Sequence, residues 1–163
     1  MTTHALRKQF DRLDLTVTYW MARYGITLLR VSVGIIYLWF GALKLVPGLS
    51  PAEGLIRASI TFLPMGLFIP FLAGLEMVIG LGFITGKFMR VTILIMLGQM
   101  LGAASPIILS PDWVFTTFPF ALTLEGQYIV KNLVLVSASL VVGATVRGGG
   151  LSDRPVRANG ERR

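Results

Sequence analysis

Four long apolar runs constrain this chain more than any other feature of its sequence. They cover residues 22–46, 67–85, 91–109 and 126–146, and each is close to the roughly twenty residues that a helix needs to cross a bilayer core about 30 Å thick. Because hydrocarbon cannot hydrate a polypeptide backbone, we expect each run to be helical throughout. The sequence therefore predicts an all-α, polytopic membrane protein with a bundle of four transmembrane helices.

The composition favours a membrane protein and excludes several redox centres. Hydrophobic residues make up 54% of the 163 residues and charged residues only 14%, more apolar surface than a soluble domain of this size can bury. The chain has no cysteine, which excludes disulfides, thiol chemistry and iron–sulfur clusters. Its single histidine, His4, lies outside every apolar run, so a haem held by paired histidines within the membrane is also excluded. We expect no covalently bound cofactor.

The basic residues lie at the ends of the apolar runs, and this distribution predicts the topology. Four Lys or Arg residues precede the first run or begin it, two lie in the second connection and five follow the fourth run. With four spans, both termini and the second connection lie on the same side, so 11 of the 15 Lys and Arg lie there. The first and third connections together hold only Arg57. Cytoplasmic loops are enriched in Lys and Arg, so both termini are predicted to be cytoplasmic. The net charge of +7 then forms no patch for nucleic acid, which is not expected as a partner.

Two segments flank the predicted transmembrane domain of residues 22–146. Residues 1–21 form an amphipathic pattern, with charged residues on the other faces, that is typical of a helix lying on the membrane surface. Its apolar residues recur at spacings of three and four: Leu6, Phe10, Leu13, Val17 and Trp20. Residues 147–163 are polar, glycine-rich and basic, which predicts a disordered tail. The lipid bilayer is therefore an expected partner of both the bundle and the N-terminal segment.

Polar side chains inside the apolar runs are the candidate functional residues. A charged side chain at the centre of a spanning helix costs about 2.5–3.5 kcal/mol even on a lenient scale, so each one needs a partner or a role. Every run contributes to the set: Arg30, Tyr37, Lys44, Glu76, Gln99 and Lys131. Convergence of polar groups from four helices favours a polar cavity that opens outward, or a relay.

Arg30 and Glu76 are predicted to form a buried ion pair. They lie eight and nine residues from the inner ends of their runs, and thus at similar depth. A purely structural interpretation has about equal weight: the pair fixes helix register at a net energy near zero, and Lys44 and Lys131 extend to the headgroups. In that interpretation, the Gln99 side chain only forms a hydrogen bond between helices.

Glycines in two of the runs predict where helices approach closely. Gly34 and Gly41 lie on the same stripe of the first helix as Tyr37, so this stripe is expected to face other helices. Gly98 and Gly102 in the third run predict a second close approach.

Three short segments resemble the DoxX-like superfamily, including its YkgB-like inner-membrane relatives. They are residues 39–45, Glu76 with the glycines after it, and residues 126–133. The resemblance extends over residues 25–145 or thereabouts and implies a four-helix bundle in a bacterial inner membrane. Relatives include the membrane subunit of a thiosulfate:quinone oxidoreductase and a mycobacterial protein that links superoxide dismutase to a sulfurtransferase. The resemblance therefore implies a membrane part of a redox or oxidative-stress assembly.

No catalytic residue is carried over by this resemblance, although Lys44, Glu76 and Lys131 match the polar pattern of the superfamily. The leading hypothesis is a subunit or anchor of a membrane redox or respiratory complex that is not an enzyme by itself, with other membrane or redox proteins as partners. A quinone is the candidate ligand, because a quinone site needs an apolar slot and a few hydrogen-bonding groups. Those groups are the predicted cavity residues: Tyr37, Lys44, Glu76, Gln99 and Lys131.

Two alternatives remain open. The first is a small-molecule or ion transporter or channel, in which Arg30 and Glu76 mark the permeation path. The second is a purely structural subunit of a respiratory assembly.

The predicted topology can be tested directly because the chain has no cysteine. We expect a cysteine at Thr116 to react with a membrane-impermeant thiol reagent in intact cells, because the third connection is predicted to be outside. A cysteine at Ser152 should react only after lysis. The opposite pattern of labelling would refute the predicted orientation.

Overall fold

The computed structural model describes residues 2–149, and residues 150–163 of the predicted disordered tail lie outside the described part. The described elements follow one another along the chain in this order: α1 (Thr2–Leu43), α2 (Glu53–Ser59), α3 (Met65–Thr85), α4 (Met89–Ala104), α5 (Pro106–Leu109), α6 (Pro111–Val114), β1 (Phe115–Thr117), β2 (Ala121–Leu122) and α7 (Leu124–Ala144). A 3-10 turn at Val146–Gly148 follows α7.

Helices α1, α3, α4 and α7 form the bundle. Each packs against the next, and α7 packs against α1, so the four helices form a closed ring. We call the end with the turn at residues 86–88 the short-turn end, and the end with residues 44–64 and 110–123 the long-loop end. Four helices are long and apolar enough to cross a membrane, which confirms the predicted fold class. The N-terminal part of α1 and the C-terminal end of α7 both lie at the short-turn end. That this end faces the cytoplasm stays a prediction.

Helix α1 is continuous across the predicted boundary between residues 21 and 22. The Arg30 guanidinium contacts the last turn of α3, so the part of α1 before Arg30 projects beyond the bundle. The side chains from Phe10 to Tyr24 are all exposed. We call residues 2–28 of α1 the N-terminal extension; whether it lies on the membrane surface stays a prediction.

Helices α1 and α3 make the most extensive contact in the bundle, and glycine at their crossing allows it. A Cβ atom at Gly34 would lie 2.8 Å from the carbonyl oxygen of Gly80 and 2.7 Å from a side-chain carbon of Ile84. Gly41 meets α3 in the same way, which confirms that this stripe faces another helix. By contrast, nothing lies within 4 Å of a Cβ built at Gly98 or Gly102, so the predicted close approach there does not occur within the described chain.

The core of the bundle is apolar toward the short-turn end. Ile79, Phe83, Met96 and Val142 are almost completely buried there, and the cluster includes Val33 of α1. The turn between α3 and α4 is tight, because Gly86 ends α3 with a φ of +72°. A Cβ at Gly86 would approach only the flexible end of the Arg30 side chain, so the left-handed backbone angle is the reason for glycine at this position.

The third apolar run forms one candidate membrane span, Met89–Leu109, in agreement with the prediction from hydropathy. Helix α4 ends at Ala104, and α5 begins at Pro106 after the intervening Ser105, whose backbone angles stay helical. Proline has no backbone N–H and its ring crowds the preceding turn, so the hydrogen bonds of the span are interrupted here. The carbonyl of Gly102 accepts two hydrogen bonds from Ser105, one from its backbone N–H at 3.1 Å and one from its hydroxyl at 2.7 Å.

A small cap closes the long-loop end. Val114 is fully buried between Leu55 of α2 and Ile129 of α7, and the β1–β2 hairpin adds Phe115 and Leu122 at the edge of this cluster. The Thr123 hydroxyl accepts from the Gly126 N–H at 3.0 Å and so caps the start of α7. The cap therefore fixes where α7 enters the bundle.

Helix α2 is tied to the end of α1 by its first residue. The backbone N–H of Gly48 donates to the Glu53 carboxylate at 2.9 Å. This hydrogen bond, together with a second one from Arg57, holds the pKa of Glu53 below its ordinary value. The carboxylate thus anchors the chain where it leaves the bundle.

We expect Gly34→Ala to destabilise the protein, because the added methyl group has no space between α1 and α3. Overpacking of this kind costs about 1–3 kcal/mol, which thermal unfolding of the purified protein in detergent would detect. Gly98→Ala is the matched control, since the same methyl group meets no atom within 4 Å there. Equal melting temperatures for the two variants would contradict the described crossing.

Candidate functional site

Four polar side chains from three helices form one hydrogen-bonded network inside the bundle. The Lys44 ammonium donates to Glu76 Oε2 at 2.6 Å, and the Gln99 amide donates to Glu76 Oε1 at 3.2 Å. The Tyr37 hydroxyl donates to Gln99 Oε1 at 3.1 Å. We call Tyr37, Lys44, Glu76 and Gln99 the polar network; the structure thus brings together four of the five residues that were predicted to line a cavity.

The helix geometry explains why these residues meet. Lys44 directly follows the last residue of α1, in a turn that continues the helix, and it lies seven residues after Tyr37. Seven residues are about two helical turns, so the two side chains lie on the same face. Gly41 lies between them, and a Cβ at this position would approach the Glu76 Cβ to 3.1 Å. The missing side chain at Gly41 therefore lets α1 come close enough for Lys44 to contact Glu76 directly.

The network is buried and its charges are balanced. Lys44 is 9% exposed, Glu76 7% and Tyr37 4%, while Gln99 is partly exposed. Each carboxylate oxygen of Glu76 accepts a hydrogen bond from a different helix. An ion pair of this kind offsets much of the desolvation cost of both charges, and removal of either partner leaves the other charge uncompensated.

Some hydrogen-bonding capacity of the network is unused within the described chain. Lys44 has three N–H donors, of which one contacts Glu76 and another approaches the carbonyl of Phe40 at 3.4 Å. The Gln99 amide has a second N–H beyond the one donated to Glu76. The network therefore has two donors left for a ligand.

Arg30 is not the partner of Glu76, so the predicted Arg30–Glu76 pair is wrong. Its guanidinium donates to the carbonyls of Phe83 and Ile84, which belong to the last turn of α3 and have no partner in the helix. A cation at this position is also favoured by the helix dipole. Arg30 therefore caps α3 at the short-turn end.

Arg30 and Glu76 differ in depth because helix α1 continues far beyond the inner end of its apolar run. Arg30 therefore lies level with the end of α3. Lys44 comes 14 residues later in the chain, about 21 Å at 1.5 Å per residue. Hydropathy does not report this offset, because neighbouring apolar turns are alike in composition.

Lys131 is not part of the network either. Its side chain is exposed on α7, and its ammonium lies 5.6 Å from the centre of the Tyr128 ring, within the range of a cation–π contact. The expectation that four helices each contribute to one polar site is therefore wrong, since the network draws on α1, α3 and α4.

A groove on the described chain is separate from the network. It lies between α4 and α7 and has a volume of about 350 Å³. Asn132 is the polar side chain among otherwise apolar ones and glycine: Leu97, Gly98, Met100, Leu101, Ala104, Ile129, Leu133 and Val136. The predicted cavity residues do not line this groove.

Metal ligation has no basis in the described residues. No group of three or more His, Asp or Glu side chains among them is placed to hold a metal ion. The chemistry that the network offers is hydrogen bonding and proton exchange by Tyr37, Lys44, Glu76 and Gln99.

Comparison with known proteins identifies a family. The sequence profile of the DoxX family matches residues 25–112, more than half of the chain. This segment contains α2, α3 and α4 and the bundle part of α1, and it includes the whole polar network. No curated protein and no solved structure matches the chain significantly.

We expect Glu76→Ala to destabilise the bundle by about 3–5 kcal/mol, because it leaves the Lys44 ammonium buried without a partner. The double variant Lys44→Met and Glu76→Leu should recover much of this loss, since it removes both charges. Thermal unfolding in detergent gives the coupling energy between the two positions.

Arg30→Met is the control for this double-mutant cycle. It removes a cation of the same stripe of α1 that does not contact Glu76, so its effect should add to that of Glu76→Ala. Strong coupling between Arg30 and Glu76, with none between Lys44 and Glu76, would contradict the described pairing.

Proposed function

Because the chain belongs to the DoxX family, whose members are membrane proteins, we propose that it is a membrane subunit or anchor of a redox complex and that its polar network binds a quinone. The single observation that carries the proposal is the network itself: a buried ion pair with two unused donors, held within a membrane-spanning bundle. An ionisable group in such a place is a functional candidate, because its burial is expensive.

The donors suit the carbonyl oxygens of a quinone ring. A carbonyl oxygen accepts hydrogen bonds and donates none, and the unused N–H groups belong to Lys44 and Gln99. Gln99 is partly exposed while Lys44 and Glu76 are buried, so the ring would approach along α4 and reach Gln99 first. The surrounding helices supply the apolar environment that a quinone site needs.

The network also fits the proton chemistry of a quinone. Reduction of a quinone to a quinol takes up two electrons and two protons. The Lys44 ammonium, held by Glu76 at 2.6 Å, can give one of these protons to a ring oxygen directly, and the second proton would come from solvent. Gln99 would hold the ring by a hydrogen bond only, because an amide does not release its proton. The electrons would come from a partner protein, because this chain supplies no thiol or paired histidines to hold a redox centre.

A transporter is the second candidate function. Its support is the buried Lys44–Glu76 pair itself, because ionisable residues inside a bundle commonly mark ion or proton paths. The packing of the core argues against a continuous polar path. The fully buried side chains of Ile79, Phe83 and Met96 separate the network from Arg30 at the short-turn end. Thr92 and Ser139 are buried nearer that end, but their hydroxyls donate to backbone carbonyls three or four residues earlier in the chain. The buried ionisable residues therefore extend through only part of the described bundle, which fits a site better than a channel.

Gentle extraction from native membranes tests the proposed function. We expect the protein to be recovered with a redox enzyme or respiratory complex and with bound quinone that organic extraction and mass spectrometry can identify. Lys44→Met with Glu76→Leu should lower the bound quinone and the quinone-linked turnover of the complex at least tenfold, which corresponds to about 1.4 kcal/mol, because it removes one donor to the ligand and the carboxylate that orients both donors.

Lys131→Met is the matched control, since it removes a lysine charge that lies outside the network. It should leave quinone content and turnover unchanged. A partner-free protein that carries an ion or solute across liposomes, with transport lost in Glu76→Gln, would overturn this proposal in favour of the transporter.

A further inference from the structure

The N-terminal extension exposes an apolar stripe that the bundle leaves uncovered. Phe10, Leu13, Val17, Trp20 and Tyr24 are between 44% and 69% exposed, and their spacings of three and four place them on one side of α1. We call these five residues the extension stripe. Phe10 lies 18 residues before Leu28, about 27 Å beyond the bundle if the helix is straight. An apolar surface of this length in water calls for a covering partner.

The extension stripe continues the side of α1 that faces lipid. An interval of 18 residues is five full helical turns, so residues 18 apart lie on the same side of a helix. Phe10 and Leu28 are one such pair, and Val17 and Ile35 are another. Leu28 and Ile35 are about half exposed, and the buried Tyr37 and Lys44 each lie nine residues, two and a half turns, further along, on the opposite side of the helix. The stripe therefore points away from the bundle, in line with the lipid-facing surface.

We propose that the N-terminal extension bends outward at Gly25 and lies on the lipid surface at the short-turn end, with the extension stripe in the bilayer. An outward bend of about a right angle turns the lipid-facing side of a helix toward the membrane, because the side that pointed away from the bundle then points along the membrane normal. A stripe on the bundle-facing side would instead be turned toward water. The stripe occupies the side that this movement buries.

Gly25 is placed to act as the hinge. It lies one residue after Tyr24, the last residue of the extension stripe, and a Cβ built there meets nothing within 4 Å. No atom therefore packs against the helix on the side where a Gly25 side chain would be. Glycine also weakens a helix more than any residue except proline, so the cost of bending is lowest here.

Lipid fits the extension stripe better than a second copy of the chain. Three of its five residues are aromatic: Phe10, Trp20 and Tyr24. Seams of coiled coils favour Leu, Ile and Val, whereas aromatic residues are typical of helices in the membrane interface. Trp20 and Tyr24 lie nearest to the bundle, with ring centres 5.7 Å apart, where the headgroups would be.

Fluorescence quenching in liposomes tests the proposal. Single cysteines at Leu13 and Val17, on the stripe, and at Leu15 and Tyr19, on other sides of the helix, would each carry an environment-sensitive fluorophore. The full chain would be reconstituted into liposomes of neutral and anionic phospholipids with a nitroxide on the acyl chain near the headgroup. We expect quenching several-fold stronger at Leu13 and Val17 than at Leu15 and Tyr19.

Gly25→Ala should reduce the quenching at Leu13 several-fold, because alanine stiffens the helix at the hinge. Gly98→Ala, the same change at a glycine equally free of neighbours, should leave it unchanged. Equal quenching at all four positions, or no quenching, would overturn the proposal. A straight extension would give no quenching, because it holds Leu13 about 22 Å beyond Leu28 and so away from the nitroxide in the bilayer. Cross-linking of Leu13→Cys between copies without quenching would assign the stripe to a second chain instead, and unchanged quenching in Gly25→Ala would refute the hinge.

Discussion

The direct backbone contact of α1 with α3 is the constraint on which the rest of the structure depends. Gly34 and Gly80 allow the two helices to approach at their crossing, and Gly41 extends this contact two turns further, to the level of Glu76. Dispersion forces between closely packed helices replace the hydrophobic effect inside a membrane. The same approach places Lys44 against Glu76, so the packing of small residues and the pairing of charges stabilise one arrangement together.

This contact divides the bundle into two parts with different chemistry. Toward the long-loop end, Glu76 receives hydrogen bonds from α1 and α4, which ties three helices to one carboxylate. Toward the short-turn end, the core is apolar and ends at Arg30, which caps α3. A polar network so placed is reached from one end or one side of the bundle. Gln99 is the partly exposed member of the network, so the proposed quinone would approach the network at that side chain.

The polar network also has a structural role, and the two roles are compatible. An ion pair that is fully satisfied specifies one helix register, because any slip would leave a buried charge alone. The unused donors of Lys44 and Gln99 lie outside this requirement, since Glu76 is satisfied without them. A ligand that accepts these donors can therefore bind and leave without breaking the pair that holds α1 on α3.

The sequence by itself determined the fold class, the four spans and most members of the polar network, because apolar runs and buried polar residues are local signals that the bilayer makes costly to violate. Only the tertiary structure decided the partners. It pairs Glu76 with Lys44, gives Arg30 to the end of α3 and leaves Lys131 outside, because the axial offset between two apolar helices depends on which glycines meet. It also decided that α1 continues through residue 22 and that the hydrogen bonds of the third span are interrupted at Pro106, since hydropathy reports the composition of a segment and not its backbone path.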